Sequence, residues 1–148
     1  MQWYLTDKRR LKAEIRQMEE NGVNFELCID EDGNENLLWR GPLCVSGRYH
    51  GDVRLVYDEM HPYKQMTVYI LDPPLPKTNL HVHEDGSICY IKDEWSPDWT
   101  ALAVYLTTIR FLGDYYSGAM DNHLPYYPLP SIEPEKGLIE RLMEGLRT

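Results

Sequence analysis

Leu11, Ile15 and Met18 recur at helical spacing in an otherwise charged stretch, which predicts an amphipathic helix from about Asp7 to Asn21. Thr6 or Asp7 can cap its start, and Gly22 can end it. The period then changes. In Val23-Asn24-Phe25-Glu26-Leu27-Cys28-Ile29-Asp30 apolar and polar residues alternate, the mark of a half-buried strand with Cys28 on its less apolar face. Asp32-Gly33 is a turn signal, and Leu37 to Arg40 resumes the pairing. Val53 to Tyr57 and Met66 to Leu71 supply two more strands, with turn chemistry at Gly47, Gly51 and His61-Pro62 between them. Connections this short predict a four-stranded antiparallel meander.

Asp72-Pro73-Pro74-Leu75-Pro76 cannot be a central strand or a helix, because its prolines remove backbone donors. It leads into an irregular segment that ends at Trp95. Ser96 is then placed to cap a helix with Pro97 at its first position and Asp98 in its first turn. Trp99, Leu102, Ala103, Leu106, Ile109 and Leu112 make one apolar face, which Val104, Tyr105 and Phe111 widen, so this is the expected core helix against the sheet. After Gly118 come a proline-rich passage and a short amphipathic helix through Leu138, Ile139, Leu142 and Leu146, within residues 122–148. Helices segregated from strands make the chain α+β, and residues 1–148 are expected to form a single domain.

Composition narrows the function classes. A net charge of -9 gives a nucleic-acid partner no overall electrostatic support. No stretch approaches the roughly 18 apolar residues of a membrane span, so no membrane partner is expected. Met1-Gln2-Trp3-Tyr4 runs straight into Asp7-Lys8-Arg9-Arg10, which is unlike a secretory leader. Cys28, Cys44 and Cys89 have no framework spacing and read as thiols of a reducing cytoplasm. Against this acidic background, Lys8, Arg9, Arg10, Lys12 and Arg16 concentrate a third of the 15 positive residues on one helix. A docking face and an ordinary solvated face are both open readings of this cluster.

Chemistry centres on residues 80–106, LHVHEDGSICYIKDEWSPDWTALAVYL. A cysteine in an arbitrary chain is usually a small buried hydrophobe, but Cys89 lies just past Gly86 in a non-periodic segment with His81 and His83 nearby. A nucleophile in a polar pocket is one reading. A zinc site using His81, His83 and Cys89 is another, although no Cys-x-x-Cys or His-Glu-x-x-His spacing supports it and no metal is assigned. The chain has no glycine-rich phosphate loop and no Gly-x-Ser-x-Gly elbow, and no cofactor is expected.

Gly86-Ser87-Ile88-Cys89, followed within six residues by Trp95-Ser96-Pro97, resembles the catalytic segment of ubiquitin-conjugating enzymes. The upstream stretches LLWRGP and YHGDVRLVYDEMHPYKQMTVYI agree with that family in order, so the resemblance runs from about Lys8 to Asp121. It implies the family's fold: N-terminal helix, meander, active-site loop, core helix and here a shortened C-terminal helical region. It implies that Cys89 accepts the C-terminus of a ubiquitin-like protein from an activating enzyme and passes it to an amine on a target protein. His81 falls where the family has the asparagine of a His-Pro-Asn motif, with His83 a second candidate for the place. The resemblance further implies activating-enzyme docking on the basic helix and an acidic residue near the exit side, Asp121 or Asp114. The missing His-Pro-Asn, the shorter linker from Cys89 to Trp95 and the altered tail resemble divergent bacterial members from antiviral-defence or ubiquitin-like operons. An inactive relative that only binds a ubiquitin-like protein is the alternative.

Overall fold

A computed structural model describes residues 1–31, 33–76, 80–91 and 95–118. A short helix, α1 (Trp3–Thr6), precedes the expected amphipathic helix α2 (Lys8–Glu20), whose start is capped by the Asp7 carboxylate accepting from the Arg10 amide. Four strands follow, β1 (Glu26–Ile29), β2 (Leu37–Val45), β3 (Arg48–Val56) and β4 (Thr67–Leu71), paired antiparallel in sequence order. The last described element is α3 (Ala101–Ser117), closed by Gly118. The α+β meander predicted from periodicity is the observed architecture.

Two strands are longer than the alternation suggested. β2 and β3 run on to a tight hairpin at Ser46-Gly47, both at positive φ, the geometry that matches the twist of paired strands. Pro42 sits where the register shifts between Gly41 and Leu43, and this irregularity lets a proline lie inside a strand. Gly51, read as a turn, is instead within β3. One sheet face carries Trp39, Val53, Leu55, Val68 and Ile70, all buried, and α3 packs across β2 and β3 and against α2 to seal them. Trp3 of α1 joins the same core against Tyr57 and His61, with ring centroids 4.8 and 4.7 Å away. The opposite face carries an ion-pair network in which Asp52 bridges Arg40 and Arg54.

The core helix begins later than Ser96-Pro97-Asp98 predicts. Those residues form a turn in which the Trp99 amide donates to the Ser96 carbonyl, and Thr100 is the actual cap, its hydroxyl accepting from the Ala103 amide. Burial explains the shift. Trp99 is 1% exposed and its carbonyl accepts from Arg10 Nη2 at 2.8 Å, which holds it in the turn, and Thr100 is extended at φ -120° and ψ 167°, so the helical ladder starts after it. The proline-rich passage and the helix expected through Leu138 to Leu146 lie outside the described residues. No helix among the described residues is long and apolar enough to cross a membrane.

Candidate active site

The segment around Cys89 is more ordered than its sequence suggests. The Cys89 amide donates to the His81 carbonyl at 2.8 Å and the His83 amide to the Ser87 carbonyl at 2.8 Å, so residues 81–89 form a small hairpin with Val82 opposite Ile88. Val82 and Ile88 are buried, which gives the hairpin an inward face. It adds to the free edge of β4: the Ile70 amide donates to the Gly86 carbonyl and the Ile88 amide to the Val68 carbonyl. Asp85 tightens the turn by accepting from the Ser87 amide and hydroxyl at 2.9 and 2.6 Å, bonds that hold its carboxyl below the usual range. The backbone conformation at Gly86, with φ at +91°, is what calls for glycine. A Cβ there would meet Leu71 Cδ2 at 2.6 Å, so the Leu71 side chain would also have to move.

This register puts His81 directly opposite Cys89, and side chains so paired share a face with Cβ atoms roughly 5 Å apart. His81 is buried, whereas His83, one step nearer the turn, is exposed. Cys89 itself is half-buried, with its sulfur 3.8 Å from the Ile91 carbonyl. Burial pushes its thiol above the ordinary cysteine range. Beyond it, Tyr90 is fully buried and donates to the Met66 carbonyl at 2.6 Å, which clamps the strand carrying the sulfur. Trp95 stacks on Trp99 with centroids 5.6 Å apart, and its indole N–H donates to the Pro62 carbonyl at 2.7 Å. Among the described residues no three His, Cys, Asp or Glu side chains converge as metal ligands. Asp121 lies outside the described residues.

Cys28 and Cys44 are placed differently. Cys28 is in β1, where burial, ahead of the opposing pull of Arg40, raises its thiol, and Cys44 is exposed in β2. Neither lies opposite a histidine in the sheet register, which pairs Cys28 with Leu38 and Cys44 with Tyr49.

The basic helix divides into two groups. Lys8, Arg9, Lys12 and Arg16 line one open cleft of about 630 Å³. Arg10 points elsewhere: its guanidinium donates to Glu14 and to the Pro97 and Trp99 carbonyls. Glu14, 1% exposed, is the residue that sequence reasoning missed. It accepts from the Tyr57 hydroxyl at 2.8 Å, the Ala101 amide at 2.8 Å and Arg10 Nε at 3.1 Å. His61 Nε2 stands 3.6 Å from the same carboxylate, inside ion-pair range but too long for a hydrogen bond. Tyr57 in turn accepts from the Trp39 indole at 2.9 Å. A buried polar chain therefore ties the helix with the basic cleft to the start of α3. A signal was available, since position 14 falls on the stripe of Leu11, Ile15 and Met18.

No family model matches the chain, and no curated protein is significantly similar to it. Among solved structures, the crystal structure of ubiquitin conjugating enzyme E2 from Plasmodium falciparum is similar with a TM-score of 0.50. The match covers 71% of this chain and 96% of that one at 20% identity. At that identity the likeness is one of fold, and it is a likeness of nearly the whole neighbour: N-terminal helix, four-stranded antiparallel sheet and later helix make this a ubiquitin-conjugating-enzyme-like fold.

Proposed function

We propose that the chain is a conjugating enzyme for a ubiquitin-like protein, with Cys89 as the thioester carrier, acting in a bacterial ubiquitin-like or antiphage pathway. The observation that carries this reading is the pairing of Cys89 with His81 on one hairpin in a fold similar to a ubiquitin-conjugating enzyme. In the first step Cys89 Sγ attacks the thioester on an activating enzyme. A new C–S bond forms, the old one breaks, and the activating enzyme's sulfur leaves as thiolate, which takes up through solvent the proton that Cys89 gives up. Thiol-for-thiol exchange is nearly isoenergetic and needs no strong adjacent base. In the second step a target amine attacks, the C–N bond forms, Cys89 leaves as thiolate and the amine loses a proton. His81 is the donor for the oxyanion of that step, and Asp121 the acceptor of the proton on the exit side. The raised thiol of Cys89 makes it a slower leaving group, so the acyl group is held until such a donor is in place.

The activating enzyme docks through the cleft of Lys8, Arg9, Lys12 and Arg16, with Arg10 reserved for the interior. The test is a non-reducing gel with the partner activating enzyme, its ubiquitin-like protein and ATP. A reductant-sensitive adduct should form and vanish in Cys89→Ala, with Cys28 and Cys44 unable to replace it. An adduct that persists in Cys89→Ala sinks the assignment. The half-buried sulfur favours one second reading, an inactive relative that binds a ubiquitin-like protein. Binding without any adduct would establish it instead.

A further inference from the structure

A second groove, of about 500 Å³, lies between the β2–β3 turn, the proline run after β4 and the last turn of α3, and none of its lining belongs to the Cys89 hairpin. Its walls are aromatic and proline-rich: Tyr49, Pro73, Pro74, Tyr115 and Tyr116. Tyr49 is 61% exposed, yet the groove is firmly built. His50, 2% exposed, reaches the Pro73 carbonyl through Nδ1 at 2.7 Å and the Tyr116 hydroxyl through Nε2. A carbonyl only accepts, so Nδ1 carries the proton and Nε2 accepts from Tyr116; one tautomer ties both walls together. Leu75, buried, anchors the proline run, and the Arg48 guanidinium lies 5.6 Å over the Tyr116 ring at the rim.

Fixed tyrosines with a cationic donor at the rim suit an extended, proline-containing segment. Prolyl rings lie flat on tyrosine, and the carbonyls of a polyproline helix face outward to accept bonds. The chain itself contains such a segment. Leu124-Pro125-Tyr126-Tyr127-Pro128-Leu129-Pro130 begins shortly after Gly118, which closes the helix whose Tyr115 and Tyr116 line the groove. The intervening stretch spans up to roughly 20 Å if extended, and such a short tether supplies a local concentration on the order of millimolar. We infer that this groove is the docking site for residues 124–130 of the same chain.

The test uses the full-length chain with Cys28, Cys44 and Cys89 replaced by serine. Tyr49→Cys with Leu129→Cys is compared under mild oxidation with Thr67→Cys and Leu129→Cys, since Thr67 is exposed on β4 outside the groove. The groove pair should close an intramolecular disulfide at least about tenfold faster than the control pair, as expected of a seated tether over a free one. Replacing Pro125, Pro128 and Pro130 with serine should erase the difference. Equal rates, or a rate indifferent to the prolines, overturn the inference, and a cross-linked dimer would assign the groove to a second copy. A cysteine-free check titrates a synthetic peptide of residues 124–130 against the Tyr116 and His50 NMR signals. The proline-to-serine chain should bind it at least about tenfold more tightly than the wild type, whose own segment competes. Equal binding by both chains would mean that the groove stands open to an outside partner, and no binding by either would remove the site.

Discussion

Glu14→Ala should be among the most damaging single changes in this protein. The carboxylate is the shared acceptor for the Tyr57 hydroxyl, the Ala101 amide and Arg10 Nε, all in a site closed to water. Each hydrogen bond to a charged group contributes about 1.5–3 kcal/mol. The three do not add, because Arg10 keeps its bonds to the Pro97 and Trp99 carbonyls. Removing one partner of a buried charged network costs about 3–5 kcal/mol, and that is the expected loss. Since a chain of this size is stable by only about 5–15 kcal/mol, the variant should lose a large fraction of its stability. Urea denaturation followed by tryptophan fluorescence reads it directly. A pH series separates charge from packing. Burial alone would raise the Glu14 carboxyl, but His61, the Ala101 amide and Arg10 outweigh it and hold the group below the usual carboxylate range. The unfolded chain therefore takes up this proton at a higher pH than the folded one. Stability should rise with pH through that acidic window, be fully present above it, and be lost as pH falls through the folded value. Glu14→Gln should lack that rise. A loss under about 1 kcal/mol for Glu14→Ala, or a wild-type-minus-Gln difference that is flat with pH, would refute the reasoning.

Three further outcomes can be checked. Alkylation of Cys89 by iodoacetamide should have a midpoint at higher pH in the folded chain than in urea, because burial raises the thiol; a lower midpoint would mean an activating cation at the sulfur. If His81 supplies the oxyanion donor, His81→Ala should charge nearly normally but discharge to amine about a hundredfold more slowly, and His81→Asn should recover much of the rate. Equal loss of both steps would make His81 a structural residue, and a larger defect in His83→Ala would exchange the two roles. Reversing Lys8, Arg9 and Lys12 to glutamate should slow charging most at low salt without lowering stability, whereas Arg10→Ala should destabilise the fold; identical behaviour of the two variants would abolish the division of the helix.

Periodicity was enough for the order of the amphipathic helix and the four strands, because α2 and the strands β2 to β4 each bury one face, while the four-residue α1 is too short to show a period. It misplaced the start of α3. Ser96-Pro97-Asp98 has the chemistry of a helix cap, but a tertiary partner, Arg10, takes the Trp99 carbonyl and Glu14 takes the Ala101 amide, and local sequence carries no trace of either. The Cys89 hairpin was hidden for a related reason. Its inward face amounts to little more than Val82 and Ile88, too few residues to show an alternation, and its pairing is completed by the edge of β4. Glu14 was legible in position but not in kind, since a glutamate on an apolar stripe is ordinarily a tolerated exception. The motif around Gly86, Cys89 and Trp95 pointed to the fold where periodicity was weak, and it did so through chemistry that no hydropathy pattern contains.

The hairpin that carries Cys89 also guards the sheet. A terminal strand with unpaired amides and carbonyls is a template for self-association, and Val68 and Ile70 would offer an apolar one. Gly86 and Ile88 occupy that edge from outside. Any change that pries the hairpin loose, such as a side chain at Gly86 strained by its φ of +91°, would expose a sticky border as well as disorganise the sulfur. Cover for the sheet edge and placement of the Cys89 sulfur thus depend on the same few backbone bonds. With another residue in place of Cys89, the chain would still need Gly86, at φ +91°, to keep that edge covered.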